Sequence, residues 1–407
     1  MTKLEQLIVQ LCPDGVEYKT LGDISTITRG GSFQKKDFTD YGVPCIHYGQ
    51  IYTRYGLFAE KTLTCIPEKT AQKQRFAQPN DIVMAVTSEN VEDVCKCVTW
   101  LGDEPVAVSG HSAIIHHNQN PKFLAYYFHS SMFFSQKRKL AQGTKVIEVS
   151  PDKLNRVKVP VPPLDVQAEI VRILDKFTEH TTELTTELAN RKKQYEYYRD
   201  SLLSYNGILN VDVKTVGELS KFRRGSFPQP YGNKEWYDGE GAMPFVQVAD
   251  IGDNMRLVEN TKRKISILAQ PKSVFAPKGS IIISLQGSIG RIAVTQYDAF
   301  IDRTVAIFSD ISDRLLPKYF VYQLQRIFSI KEKTARGSTI KTITKEEFTS
   351  FPIPILPLTE QQQVVNILDR FDKLCNDISE GLPAEIEARK KQYEYYRDKL
   401  LTFTMKE

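Results

Sequence analysis

Two long stretches of the chain carry an apolar stripe at helical spacing. In the first, Ile170, Ile173, Phe177, Leu184, Leu188, Tyr195, Tyr198, Leu202 and Tyr205 recur at steps of three, four or their multiples, with His180 and Arg191 in the gaps. In the second, Val364, Ile367, Phe371, Leu374, Ile378, Leu382, Ile386, Tyr393, Tyr396, Leu400 and Phe403 do the same around Arg389. This spacing predicts two helices with coiled-coil seams. Helices of this kind gain their stability by packing an apolar face against something else. The two seams are therefore expected to pair with each other, antiparallel and pseudo-twofold, with a globular domain at each end. The first helix contains Thr181-Thr182-Glu183-Leu184 followed by Thr185-Thr186-Glu187-Leu188, a four-residue unit that keeps the stripe in phase. In the second, Gly381 and Pro383 are expected to interrupt the helix.

Upstream of each stripe the pattern shortens to strand-like runs punctuated by Gly and Pro. Ile82 to Val86 and Ile281 to Leu285 are two such runs; Val106 to Val108 and Thr304 to Phe308 are two more. A proline then opens a helix-like stretch in each half, at Pro121 and at Pro317, and a Gly turn follows at Gly143 and Gly337. Proline-rich segments, Pro160 to Pro163 and Pro352 to Pro357, set an extended entry into the long helices.

The parallel between the halves is a duplication. RKKQYEYYRD stands at 191–200 and again at 389–398. PVPPLDVQAEIVRILDKF (160–177) matches PILPLTEQQQVVNILDRF (354–371), QGTKVIEVS (142–150) echoes RGSTIKTIT (336–344), and VEYKTLGDISTITRGGSF (16–33) resembles VDVKTVGELSKFRRGSF (211–227). The middles, roughly 34–120 and 228–316, share only the rhythm of strand-like runs. A common frame carrying two different specificities fits this contrast.

Composition narrows the function classes. The chain has 407 residues, enough for two or three domains, with a formal charge of +5 and 25% charged residues. That balance permits a nucleic-acid partner without requiring one. Neither an 18-residue apolar run nor a signal-peptide pattern occurs, so no membrane association or secretion is expected. The six cysteines do not fall at paired metal-ligand spacings and are expected to be reduced thiols, with no metal. P-loop, dinucleotide-binding and nucleophile-elbow motifs are absent, and the Pro13-Asp14…Glu17-Tyr18-Lys19 run is too compact for a nuclease site. All six histidines lie in the first half, so no histidine is repeated as a duplicated catalyst would be. No catalytic residue is assigned. Two binding modules on a helical strut are the better reading.

Basic and polar residues at strand ends and loops suit nucleic acid. The first half offers Arg29, Lys35, Lys36, Arg54, Lys73, Arg75 and the Lys137-Arg138-Lys139 cluster. The second offers Arg223, Arg224, Lys262, Arg263, Lys264, Arg291, Arg303 and Lys341. His47, Tyr48, Gln50, Ser88, Asn90, Gln247, Asp250, Gln286 and Ser288 are candidates for reading base edges.

RKKQYEYYRD ending each repeat, P-P-L-x-x-Q (Pro162 to Gln167) and P-L-x-x-Q (Pro357 to Gln361) entering each helix, I-L-D-[KR]-F after them, and the tandem Thr-Thr-Glu-Leu unit together resemble the DNA-specificity subunits of type I restriction–modification enzymes. The likeness covers essentially the whole chain and is greatest to the IC subfamily. It implies an α+β fold with two target-recognition domains, 1–158 and 208–351, and two helical spacers, 159–207 and 352–407. It implies double-stranded DNA as ligand, each domain reading one half of a bipartite site. It implies docking of two modification subunits, which methylate adenine, and of two restriction subunits. Phe177, Tyr195, Tyr198, Phe371, Tyr393 and Tyr396 are then candidates for holding the modification subunits. S-adenosylmethionine, ATP and magnesium would belong to those partners, and the chain itself would be a non-catalytic, cytoplasmic component. A specificity factor of another phage-defence methylase, or a coiled-coil scaffold that binds no DNA, are the alternatives.

Overall fold

The structure, a computed structural model, describes residues 1–204, 211–252, 254–334, 343–377 and 380–406. Tyr205, Gly337, Lys341 and Ile378, singled out above, lie outside the described residues. The chain divides into two compact units: residues 1–183 with 387–407, and residues 184–386.

Unit one is built on two sheets. The first has the order Thr64–Ile66, Val43–Ile46, Val106–Val108, Arg75–Ala77, with Val43–Ile46 and Val106–Val108 parallel. The second has the order Ser25–Arg29, Ser112–His117, Ile82–Ala85, Cys97–Trp100, Phe58–Ala59. The run at Ile82 reads as a continuous apolar stretch because both of its faces are covered. Met84 packs toward the helical side of the unit, while Val83 and Ala85 face the core around Trp100.

Unit two repeats this plan. Its first sheet runs Arg263–Ile265, Met243–Val246, Ala299–Ile301, Val274–Ala276, and its second runs Ser220–Arg224, Val305–Ile311, Ile281–Ser284, Ile292–Val294. The strand order is that of unit one, without the edge strand at Phe58. The middles that shared only a rhythm in sequence thus share a topology. A period-two pattern constrains which face is buried and says little about identity.

Helices form where the stripes and the Gly381–Pro383 break predict them; the one correction is which face of the second stripe is buried. Leu164–Leu203 is a single helix of 40 residues. The second stripe is broken: Leu358–Asn376 ends before Gly381, and a new helix runs Leu382–Leu400. Leu358–Asn376 buries Gln361, Val364, Val365, Leu368 and Cys375, whereas Ile367 and Leu374, which the stripe placed in a seam, are exposed. The buried face of this helix is turned to the core of its own unit, one position away from the predicted stripe.

The family-like motifs turn out to be fasteners. Gln167 is fully buried; its Nε2 donates to Gln119 Oε1 and to the Pro162 carbonyl, both at 2.8 Å, and its Oε1 accepts from Asn120 N–H. Gln361 does the same in unit two, donating to the Arg314 and Leu356 carbonyls and accepting from Leu316 N–H. The aspartate of I-L-D-[KR]-F ties the helix to the proline-opened helix beside it. Asp175 accepts from Tyr126 Oη (2.6 Å) and Lys122 Nζ (2.7 Å), and Asp369 accepts from Tyr322 Oη (2.6 Å) and Lys318 Nζ (2.7 Å). The extended proline entries pair with the start of each repeat, Lys158–Pro160 against Tyr18–Thr20 and Pro352–Ile355 against Asp212–Thr215.

The tyrosines of the duplicated decapeptide complete the units. In unit one Tyr396 stacks on Phe177, centroids 5.3 Å apart. In unit two Tyr198 stacks on Phe371 at 5.5 Å, and Leu184 meets Leu382 and Ile386, so residues 184–203 run antiparallel to the helices they meet there. The decapeptide that ends one sequence repeat therefore packs against the helix start of the other.

Candidate nucleic-acid interface

In each unit three strand ends converge on one turn that links the two sheets. In unit one this turn is Ser109–His111. Ser109 N–H donates to the Ile46 carbonyl, Val86 N–H to the His111 carbonyl, and Gly30 N–H to the Ser112 carbonyl. In unit two it is Asp302–Thr304. Asp302 N–H donates to the Val246 carbonyl, Leu285 N–H to the Thr304 carbonyl, and Gly225 N–H to the Val305 carbonyl. The bond pattern is the same. Both glycines are required by proximity: a Cβ on Gly30 would lie 2.2 Å from the Ser109 carbonyl oxygen, and one on Gly225 2.3 Å from that of Ile301.

The side chains on this frame differ. In unit one His47 caps the helix Tyr48–Thr53, its Nδ1 accepting from Gly49 N–H at 3.2 Å. Its ring lies against Phe38 and Tyr48, and burial together with Lys35 and His111 lowers its pKa to about 4, so it is neutral near pH 7. Tyr48 donates its N–H to Ser109 Oγ and lays its ring 4.8 Å from the exposed His111, whose Nδ1 is 3.0 Å from Thr87 Oγ1. Gln50 accepts from His47 N–H and donates to Thr64 Oγ1. Arg29 donates to the Gly110 carbonyl (2.9 Å) and pairs with Glu148 (2.7 Å). Ser88 is half-buried in a pair with Ile147, and the exposed Asn90 donates to Asp93. Lys35, Lys36, Arg54, Lys73 and Arg75 are exposed, with no carboxylate partner among the described residues. Lys137 is not part of this basic set. It is buried and donates to the Glu92 and Val94 carbonyls at 2.8 and 2.7 Å, pinning the loop that follows Ser88.

In unit two, Arg263 lies over the Tyr237 ring at 4.7 Å, Lys272 over Trp236 at 4.8 Å, and Arg303 over Tyr231 at 5.1 Å. Arg223, Arg224, Lys262 and Lys264 are exposed. Gln247 and Gln286 are half-buried and Ser288 is exposed. Asp250 is buried and accepts from the Gln247 and Lys262 backbone N–H groups, so its carboxylate holds a loop. Arg291 donates inward to the Ile251 carbonyl at 2.9 Å. Reading by residue type did not single out His111, Tyr231, Trp236, Tyr237 or Lys272 for the interface. Their partners come from loops far apart in sequence, and no spacing rule joins them.

The six aromatic candidates for partner docking pack largely within the units. Tyr195 is buried and Tyr393 lies 6.3 Å from Tyr126. The most exposed tyrosines of the two decapeptides are Tyr197 and Tyr395, and the candidate Tyr198, though stacked on Phe371, is exposed as well. Among the described residues no cluster of His, Cys, Asp or Glu could hold a metal, and all six cysteines are free. No described helix is long and apolar enough to cross a membrane.

The model of the type I restriction modification DNA specificity domain matches residues 13–193 and again 209–388. The chain belongs to this family. The specificity subunit of the Escherichia coli type I restriction enzyme EcoR124I/EcoR124II is 38% identical over 264 residues, which span 60% of this chain and 63% of that protein's length. A putative type I specificity subunit of Haemophilus influenzae is 32% identical over 321 residues, 75% of this chain and 77% of the relative. Among solved structures, a chain from work on complex assembly and conformational transition of the type I R-M system has a TM-score of 0.68 at 20% identity, covering 95% of this chain and 97% of that one. The HsdS subunit of Thermoanaerobacter tengcongensis has a TM-score of 0.50 at 20% identity, covering 96% and 97%. The doubled specificity domain and the α+β fold expected from the motifs are thus those of the type I specificity family.

Proposed function

We propose that this chain is the DNA-reading subunit of a type I restriction–modification complex, and that each unit reads one half of a bipartite double-stranded site. One observation carries the reading. The two units repeat the same frame, down to the bonds around the Ser109 and Asp302 turns, and mount different polar and basic groups on it. A common frame with different side chains is what two independent half-sites require. Exposed lysines and arginines would neutralise phosphates, and polar groups at the turns would meet base edges.

In this reading the chain carries no catalysis of its own and acts in the cytoplasm. Two modification subunits would dock on the helices, with Tyr197, Tyr198 and Tyr395 as the exposed aromatic points beside the more packed candidates. They would bring S-adenosylmethionine; restriction subunits would bring ATP and magnesium chemistry. The Thr-Thr-Glu-Leu unit would set half-site spacing, since four helical residues span ~6 Å and base pairs stack at about 3.4 Å. Removing Thr185 to Leu188 should shorten the spacing by about one to two base pairs. Because the second stripe is broken and the first helix is not, the ruler would belong to the first helix.

The test is methylome sequencing of a host expressing the chain with its neighbouring methylase, with and without this gene. A bipartite methyladenine motif that vanishes on deletion is the expected result. An unchanged methylome would leave a scaffold that binds no DNA as the better account.

A further inference from the structure

We propose that Arg303 reads a guanine in the half-site of unit two; this rests on the DNA-reading function above. Three features of the turn converge on it. The guanidinium of Arg303 is exposed and lies over the Tyr231 ring at 5.1 Å. The one acid beside it in sequence is already occupied. Asp302 is buried and accepts from Tyr231 Oη at 2.5 Å and from Thr304 N–H and Oγ1 at 2.9 and 2.6 Å. Among the described residues Arg303 has no hydrogen-bond or carboxylate partner, in contrast to Arg29 and Arg291, which donate to acceptors of their own unit.

Asp302 thus orients the tyrosine, and the tyrosine supports the fork from below. A planar guanidinium held on an aromatic face keeps its N–H edge free, with fewer rotamers to lose on binding. Of the base edges in the major groove, guanine offers two adjacent acceptors, O6 and N7, that match two N–H groups of such a fork. Phosphate would also accept from it, but a phosphate contact needs no preset orientation. In unit one the matching place in the frame is Gly110, and the exposed group next to it is His111, whose ring lies tilted against Tyr48. One turn therefore presents a fork in one unit and an imidazole in the other.

The test uses the full chain in complex with its methylase. Methylomes are compared for the wild type, Arg303→Ala and Arg303→Lys, followed by binding to synthetic duplexes of the motif. The expected result is that one guanine, in one half-site only, becomes degenerate in both variants. Replacing that guanine by 7-deazaguanine, which lacks the N7 acceptor, should weaken wild-type binding roughly tenfold and leave Arg303→Ala unaffected. Arg303→Lys keeps the charge and loses the fork, so it decides the matter if the alanine variant folds poorly. Three outcomes overturn the assignment: a motif with both half-sites unchanged in the variants, a relevant half-site without a G·C pair, or uniform weakening on all sequences with a salt slope reduced by about one, the signature of a phosphate contact. A wild-type complex that yields no bipartite motif overturns the function reading as well.

Discussion

Gln361 shows how much one side chain does in this fold. Buried within unit two, it joins the Leu316 N–H to the Arg314 and Leu356 carbonyls, and so fixes the helix start to two loops. Gln361→Leu would leave those groups buried without partners, a loss of about 1–3 kcal/mol. Urea unfolding of the variant should show it, and Gln167→Leu should do the same to unit one. Gly225→Ala should lower the stability of unit two by about 2 kcal/mol or more, since a Cβ there meets a backbone oxygen that has nowhere to move. His129 gives a pH-dependent term. Its burial lowers its pKa to about 4, against 6.5 for a free imidazole. The unfolded chain then binds a proton that the folded one refuses, so stability is full above about pH 6.5 and falls as the pH drops toward 4. The total at the acid end is about 3 kcal/mol. Denaturation midpoints between pH 7 and pH 4.5 should fall less in His129→Gln than in the wild type. These residues were only partly legible in sequence. The glutamine and aspartate motifs could be found by comparing the two repeats, but their role as fasteners needs the loops they bind.

At the scale of elements, the long helices were readable because a 3.6-residue period repeated over many turns leaves few alternatives. The break near Gly381 was readable from the Gly and Pro that cause it. What the stripe could not show was direction: Ile367 and Leu374 fit the period yet face solvent, because this helix turns its apolar side to its own unit. The sheets were legible as short strands and illegible as a topology, since strand order depends on long-range pairing. The cation–aromatic ladder of unit two was hidden for the same reason. Phase is the property that can be tested. Inserting four residues after Leu188 advances the helix by about 400°, only about 40° from its starting face. Inserting two turns it by about 200° and carries Tyr195 and Tyr198 away from Phe371. The two-residue variant should lower the melting temperature of unit two clearly, and the four-residue variant much less.

On the scale of the whole molecule, the sequence repeats and the compact units do not coincide. The second decapeptide belongs with unit one, where Leu401 is fully buried among residues of the first 175 and Val16 pairs with Thr404 and Lys406. A stop at Glu387 should therefore damage the first unit and spare the second. Limited proteolysis of such a protein is expected to protect 184–386 and to degrade 1–183; the opposite pattern would contradict the division.

That division also bears on biogenesis. On a ribosome a domain encoded first usually folds first, at about 5–20 residues per second of synthesis. Here the contiguous unit, 184–386, has all its parts before the N-terminal one does. Residues 1–183 must wait for residues 387–407 to be made, with the buried place of Leu401 and the stacking face of Phe177 open in the meantime. The nascent chain thus holds a half-built unit longest at its oldest end, and it is there that a chaperone, or the matching decapeptide of another copy, would find an unfilled groove.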